Sequence, residues 1–185
     1  GTHALSQNQG ISISRMMRKF HYVILIVLLS SCWPESFSFR DTGGMPAEWS
    51  SFTIQNLENA APNCPLSFAP LLTEQLKDGV QNNTRLVLNT KQGSGEVNIE
   101  GAITGYQVQP VAIQGADNAS SNRLTMTLSL KIKIKAPKEE EWQLVSTRFA
   151  DFDAKSNLAD VEQKLFAEIS AQMVQDLINK LFSNW

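Results

Sequence analysis

The chain has 185 residues, 42% of them hydrophobic and 18% charged, with a formal net charge of -2. An acidic balance argues against general nucleic-acid binding, which needs a basic surface. The residues His3, His21, Cys32 and Cys64 are the whole complement of histidine and cysteine, so zinc-type and histidine-dependent chemistry have little to draw on.

The chain opens on a polar stretch, Gly1 to Ser14, which lies ahead of a complete export signal; residues 1–15 are read as upstream residues outside the fold. From Met16 or Met17, a positive region (Arg15, Arg18, Lys19) precedes the apolar run Tyr22 to Leu29. That run is far shorter than the roughly 20 apolar residues a helix needs to cross a bilayer, so it reads as an address and not an anchor. It ends in Leu29-Ser30-Ser31-Cys32, which resembles the bacterial lipobox: a branched apolar residue, two small residues and the cysteine that is acylated before cleavage. Residues 16–31 are therefore read as a lipoprotein signal peptide, with Cys32 as the lipidated first residue of the mature chain. The covalent lipid on Cys32 is the one non-protein group expected.

Cleavage there leaves 154 of the 185 residues, enough for one domain that buries roughly 68–70% of its unfolded surface. The mature charge becomes 13 basic minus 18 acidic residues, or -5, because the removed segment holds three bases and no acid. Both histidines are lost with it, which removes Ser-His-Asp and Cys-His catalysis. Glu96, Glu100, Asp151 and Asp153 are the acids near strand ends, and their spacing specifies no reaction; an enzyme is not expected. Cys64 has no disulfide partner once Cys32 is acylated, and reads as a small buried apolar residue.

Residues 32–48, rich in Pro, Gly and Ser and without periodicity, read as a lipidated tether to a single domain over 49–185. A strand is predicted over Ser51 to Leu57, with Phe52 and Ile54 on one face. Ser67 is placed to cap a helix running to Val80, with Phe68, Leu72 and Leu76 spaced by four and Pro70 in the first turn. A short strand over Thr84 to Leu88 leads to the turn at Gly93 and Gly95. A long extended segment, Glu96 to Ile113, then changes parity around Gly101 and Gly105, the mark of a bulge.

The clearest signal is Arg123 to Lys135, where Leu124, Met126, Leu128, Leu130, Ile132 and Ile134 alternate strictly with polar residues. A further strand runs from Trp142 to Phe152. Asn157 caps the last helix, with Asp160 in its first turn and an apolar stripe through Leu158, Val161, Leu165, Ile169, Met173, Leu177 and Leu181. This order gives an α+β fold: a two-layer sandwich, with a mixed, mostly antiparallel sheet of four to five strands and two helices packed on one face.

Several blocks in these segments share a likeness. Pro110-Val-Ala-Ile-Gln-Gly115, Asn122-Arg-Leu-Thr125, Ser146-Thr-Arg-Phe-Ala-Asp-Phe-Asp153 and Ser183-Asn-Trp185 resemble the Bacteroidetes-type branch of the LptE lipoprotein family. The resemblance implies a non-enzymatic outer-membrane lipoprotein that plugs and assembles the LptD β-barrel and assists lipopolysaccharide transport to the outer leaflet. Its implied partners are an LptD-type barrel, lipopolysaccharide and the membrane through the lipid anchor, with the domain facing the periplasm and the barrel lumen. A free-standing, lipid-anchored binding module for a small amphiphilic ligand is the alternative that the residues leave open.

The residues themselves nominate a contact surface. Extended over Arg123 to Lys135, the strand spans ~44 Å against ~38 Å for the domain, so its lysine end is expected to project. Lys131, Lys133 and Lys135 on one face of that end are candidates for contact with the barrel or with lipid phosphates, where lysine acts as a point charge. They would equally suit the solubilising face of an edge strand. Arg123 and Arg148 are weaker candidates, since an arginine opposite an aspartate such as Asp151 is commonly a surface pair.

Overall fold

The computed structural model describes residues 44–111 and 120–183. The signal segment, Cys32, most of the tether, Ile113 and Trp185 lie outside the described residues. Strands β1 (Ser51–Ile54) and β2 (Glu58–Asn59) precede helix α1 (Phe68–Asn83) and strand β3 (Val87–Leu88). The long strands β4 (Val97–Val111), β5 (Ser121–Ile134) and β6 (Glu140–Asp153) then lead to helix α2 (Leu158–Phe182). All the strands join one six-stranded sheet in the order β3-β1-β4-β5-β6, with β2 also lying along β4. The short strands pair in parallel and β4-β5-β6 pair antiparallel, so the sheet is mixed. The fold is the expected α+β arrangement with a slightly richer sheet: the two-residue strand β2 carries too little pattern to be read separately, while β3 forms the end of the segment expected over Thr84 to Leu88.

The alternation of β5 decides the layers. Leu124, Met126, Leu128, Leu130 and Ile132 are each at most 1% exposed, while the intervening residues stand on the opposite face. The helices supply the other half of that core. Phe68, Leu72 and Leu76 of α1 are fully buried, as are Ile169, Met173, Leu177 and Leu181 of α2. Phe68 stacks on Phe166 at 4.1 Å between ring centroids and meets the Tyr106 ring edge-on. Burial of this kind is worth about 1.5–3 kcal/mol per large side chain relative to exposure, and it is what holds the two layers together.

The expected bulge is present: the β4–β5 register shifts between Ile103 and Gly105. Gly101 lies close to the neighbouring strand, where a Cβ would meet the Ser129 carbonyl oxygen at 2.1 Å. Asn157 caps α2 as expected, its side chain accepting from the Ala159 N–H. Ser67 does not cap α1. It is already helical, its side chain makes no cap bond, and its carbonyl accepts from the Leu71 N–H. Helix α1 also runs to Asn83, past Val80, before Thr84 ends it in extended backbone.

The fold starts slightly before the expected boundary. Met45 packs against the core, Trp49 is 1% exposed, and the Arg85 guanidinium donates to the carbonyls of Met45 and Pro46. The Glu96 carboxylate accepts from the Ser51 hydroxyl at 2.7 Å and the Ser51 N–H at 2.8 Å, which sets β1 against the start of β4. Those bonds, the hydroxyl first, pull its pKa down to about 2. Strand β1 itself stops at Ile54; Leu57 is buried beyond it, its N–H donating to Thr73 Oγ1.

The two helices approach closely at Gly79, where a Cβ would come within 2.2 Å of Val174 Cγ1. Overpacking costs about 1–3 kcal/mol, and an alanine in mid-helix returns at most about 1 kcal/mol of that. Gly79→Ala is therefore expected to lower the melting temperature by a few degrees, and adding Val174→Ala should recover most of the loss. Calorimetry that finds the single variant melting as high as the parent would show that the helices do not meet there.

Candidate contact surface

Strand parity sorts the nominated residues onto two faces. Odd-numbered residues of β5 and β6 stand on the face away from the helices, as does Glu100 of β4, which pairs with Lys131. On that open face the Lys131 ammonium lies 3.5 Å from Glu141, and Lys133 lies 2.7 Å from Glu100. Lys135 donates to the Gly93 carbonyl. Bonding to Glu100 raises the Lys133 pKa.

The lysine end does not project. Val97–Glu100 runs beside it on one flank and Glu140–Gln143 on the other, so β5 is an interior strand along its whole length. It is not an edge strand either, and the lysines do not serve to blunt an edge. The length argument fails because both neighbours are as long as β5 itself, 15 residues for β4 and 14 for β6.

At the other end of the same face, Arg123 sits directly opposite Asp151 and binds it through two nitrogens at 2.7 and 2.9 Å. The guanidinium also lies 3.7 Å from the centroid of the Phe149 ring. Hydrogen bonding to Arg123 lowers the Asp151 pKa. Between the two charged ends the face is neutral: Thr127 and Thr147 share a hydrogen bond across the strands. A cleft of about 400 Å³ opens there over Gly101, Ala102 and Ser129, rimmed by Glu58, Glu100 and Lys131.

Arg148 belongs to the other face. It reaches across to helix α2, where Nε donates to Asp176 at 2.8 Å and the other nitrogen completes a fork on the same carboxylate. Asp176 also accepts from the buried Ser146 hydroxyl. Arg148, foremost, and Ser146 pull the Asp176 pKa down against the upward push of desolvation. Thus the structure brings Arg123, Lys131 and Lys133 onto one face and places Arg148 elsewhere, in a clasp between sheet and helix. Cys64 is free and buried at 8% exposed, and burial drives its thiol pKa up to about 11.

Two exposed apolar residues on the open face had no clear signal in the sequence. Val145 is 63% exposed and Phe149 47%. Apolar residues occupy both parities of β6, Leu144 and Ala150 as well as Val145 and Phe149, so the strand's outward face is not legible from alternation. Asp176 was equally hidden: it is one of several polar residues of α2, and only the fold turns it towards β6.

This is a lipoprotein-type α+β domain: helices on one face of a long antiparallel ladder, and a mixed-charge face left without helix cover among the described residues. The LptE lipopolysaccharide-assembly family matches residues 49–183, and the chain belongs to that family. It is accordingly an assembly lipoprotein of the lipopolysaccharide system. No curated protein matches the sequence. Among solved structures, an uncharacterised lipoprotein B from Nitrosomonas europaea is similar at 14% identity, covering 75% of this chain and 84% of its own, with a TM-score of 0.49. A minor lipoprotein from Acinetobacter baumannii is 14% identical over 74% of this chain and 94% of its own, with a TM-score of 0.43. PelC from Paraburkholderia phytofirmans reaches 10% identity over 69% and 91%, with a TM-score of 0.42. The family assignment rests on the family match alone.

The Arg148–Asp176 clasp has a pH signature. Asp176 has a folded pKa below its ordinary value of 3.8, so its contribution is complete above that value and is lost as the pH falls below it. Asp176→Asn is expected to lower the melting temperature at neutral pH and to flatten the acid limb of the stability curve. An acid limb unchanged from that of the parent would exclude the clasp as its source.

Proposed function

We propose that this lipoprotein, anchored to the outer membrane through Cys32, acts as the plug and assembly subunit of an LptD-type barrel and helps pass lipopolysaccharide to the outer leaflet. The observation that carries the reading is the family match across residues 49–183, which spans nearly all of the folded domain. The geometry supports it in a specific way. A plug needs one layer that is rigid by itself and one surface left for the partner. Here the helices bury one sheet face, while Lys131, Lys133 and Arg123 stand on the other.

The ammonium groups of Lys131 and Lys133 lie against carboxylates, in exposed pairs that are individually weak. Such pairs give way readily to a phosphate, which offers a denser negative charge. The domain would thus face the periplasm and the barrel lumen, with the acyl chains on Cys32 holding it at the membrane. No described helix is long and apolar enough to cross a bilayer.

The cleft over Gly101 and Ser129 favours the second reading, a free-standing lipid-anchored module that binds a small amphiphile. The two readings separate in one experiment. The tagged lipoprotein is isolated from membranes in mild detergent, and a stoichiometric barrel partner is expected alongside it. Recovery without any barrel would sink the plug. The lipid arm is tested by Lys131, Lys133 and Lys135 all changed to Gln. Reduced lipopolysaccharide binding and raised outer-membrane permeability are expected, and no change in either would leave the lysines with a structural role only.

A further inference from the structure

Strand β6 ends the sheet at the edge opposite β3, and among the described residues nothing pairs with its outer side. Which backbone groups it presents follows from the ladder. The Ala154 N–H donates to the Ser120 carbonyl one step beyond the last register pair, Ser121 with Asp153, and the register runs on without a shift. Counting in twos, even-numbered residues of β6 turn their N–H and C=O groups towards β5. Gln143, Val145, Thr147, Phe149 and Asp151 turn theirs outwards.

The same strand carries the two apolar residues most out of place on this face, Val145 and Phe149. They flank Thr147 symmetrically. Beside this stretch, a groove of about 470 Å³ separates residues Leu144–Arg148 from Asn179 and Lys180 of α2, leaving room for another chain on the helix side.

We propose that β6 pairs with β6 of a second copy, antiparallel about a two-fold axis at Thr147, joining two sheets into one. In that register Val145 faces Phe149 of the other copy, twice over, and Thr147 faces Thr147. Gln143 meets Asp151, and on the helix side Leu144 meets Ala150 and Ser146 meets Arg148. Both misplaced apolar side chains become cross-strand pairs, and the outward backbone groups find partners.

A second copy is favoured over a foreign strand because the complementarity is already complete within one strand. The arrangement also closes. A two-fold pairing uses this edge of β6 in both copies at once, so no third copy can add there and no filament grows through it. The acidic ends set the length: beyond Gln143 and Asp151, Glu141 would face Asp153 and repel it. An interface this short falls below the roughly 1,200 Å² of a standard stable complex, so the dimer should be weak, forming at micromolar concentration. The inference stands apart from the barrel reading, since it concerns the lipoprotein freed of any partner.

The test uses the full-length protein, purified in detergent without a barrel, and analytical ultracentrifugation from about 1 to 100 μM. A concentration-dependent monomer–dimer equilibrium is expected. Thr147→Pro removes an outward N–H and leaves the ladder to β5 intact, and it should weaken the dimer about tenfold or more. A parent that stays monomeric throughout, or a folded Thr147→Pro that dimerises as well as the parent, overturns the proposal. Oxidative crosslinking tests the register without relying on proline. Thr147→Cys should link copy to copy, Val145→Cys alone should not, and Val145→Cys combined with Phe149→Cys should. Equal crosslinking of the two single variants, or a Thr147→Cys protein that links only to a different protein, would also overturn it.

Discussion

Every second side chain of β5 lies beneath the helices, and the rest of the domain depends on that alternation. Leu124 through Ile132 form an apolar row that only an amphipathic layer can cover, and the wide stripes of α1 and α2 provide it. A one-residue slip in pairing would turn the whole row into water and bring Lys131 and Lys133 under the helices. Register is therefore strongly determined, and it fixes which charges share a face: Arg123 with Asp151, Lys131 with Glu141, Lys133 with Glu100.

The open face is consequently balanced in charge and not simply basic. Each cation there already has a carboxylate partner, so an incoming anion would have to displace it. Arg148 is no part of this face because it is committed to Asp176 on the opposite side of the sheet. Its part is to fasten the last helix to β6, beside the groove that the two elements line.

Much of the fold was legible in the residues. Strict alternation placed β5 within a residue or two of its observed ends, interior glycines located the bulge in β4, and the spacing of Phe68, Leu72 and Leu76 found α1. The failures are also physical. Ser67 had the right chemistry for a cap, but a helix that begins with Phe68 pulled into the core takes Ser67 into helical backbone as well. A strand of two residues such as β2 has no periodicity to read; it exists because β4 offers it a parallel partner.

The sequence alone determined what depends on order along the chain: the alternation of β5, the bulge in β4, the stripes of the helices and the likeness to the LptE family. Tertiary structure decided what depends on neighbours. It made β5 an interior strand and not a projecting tip, because β4 and β6 are long enough to flank it fully. It likewise joined Arg148 to a helix residue 28 positions away and left β6, with Val145 and Phe149, as a free edge among the described residues. Periodicity reports which face of a strand is wet, but strand order is set by packing between distant segments, and no local pattern encodes it.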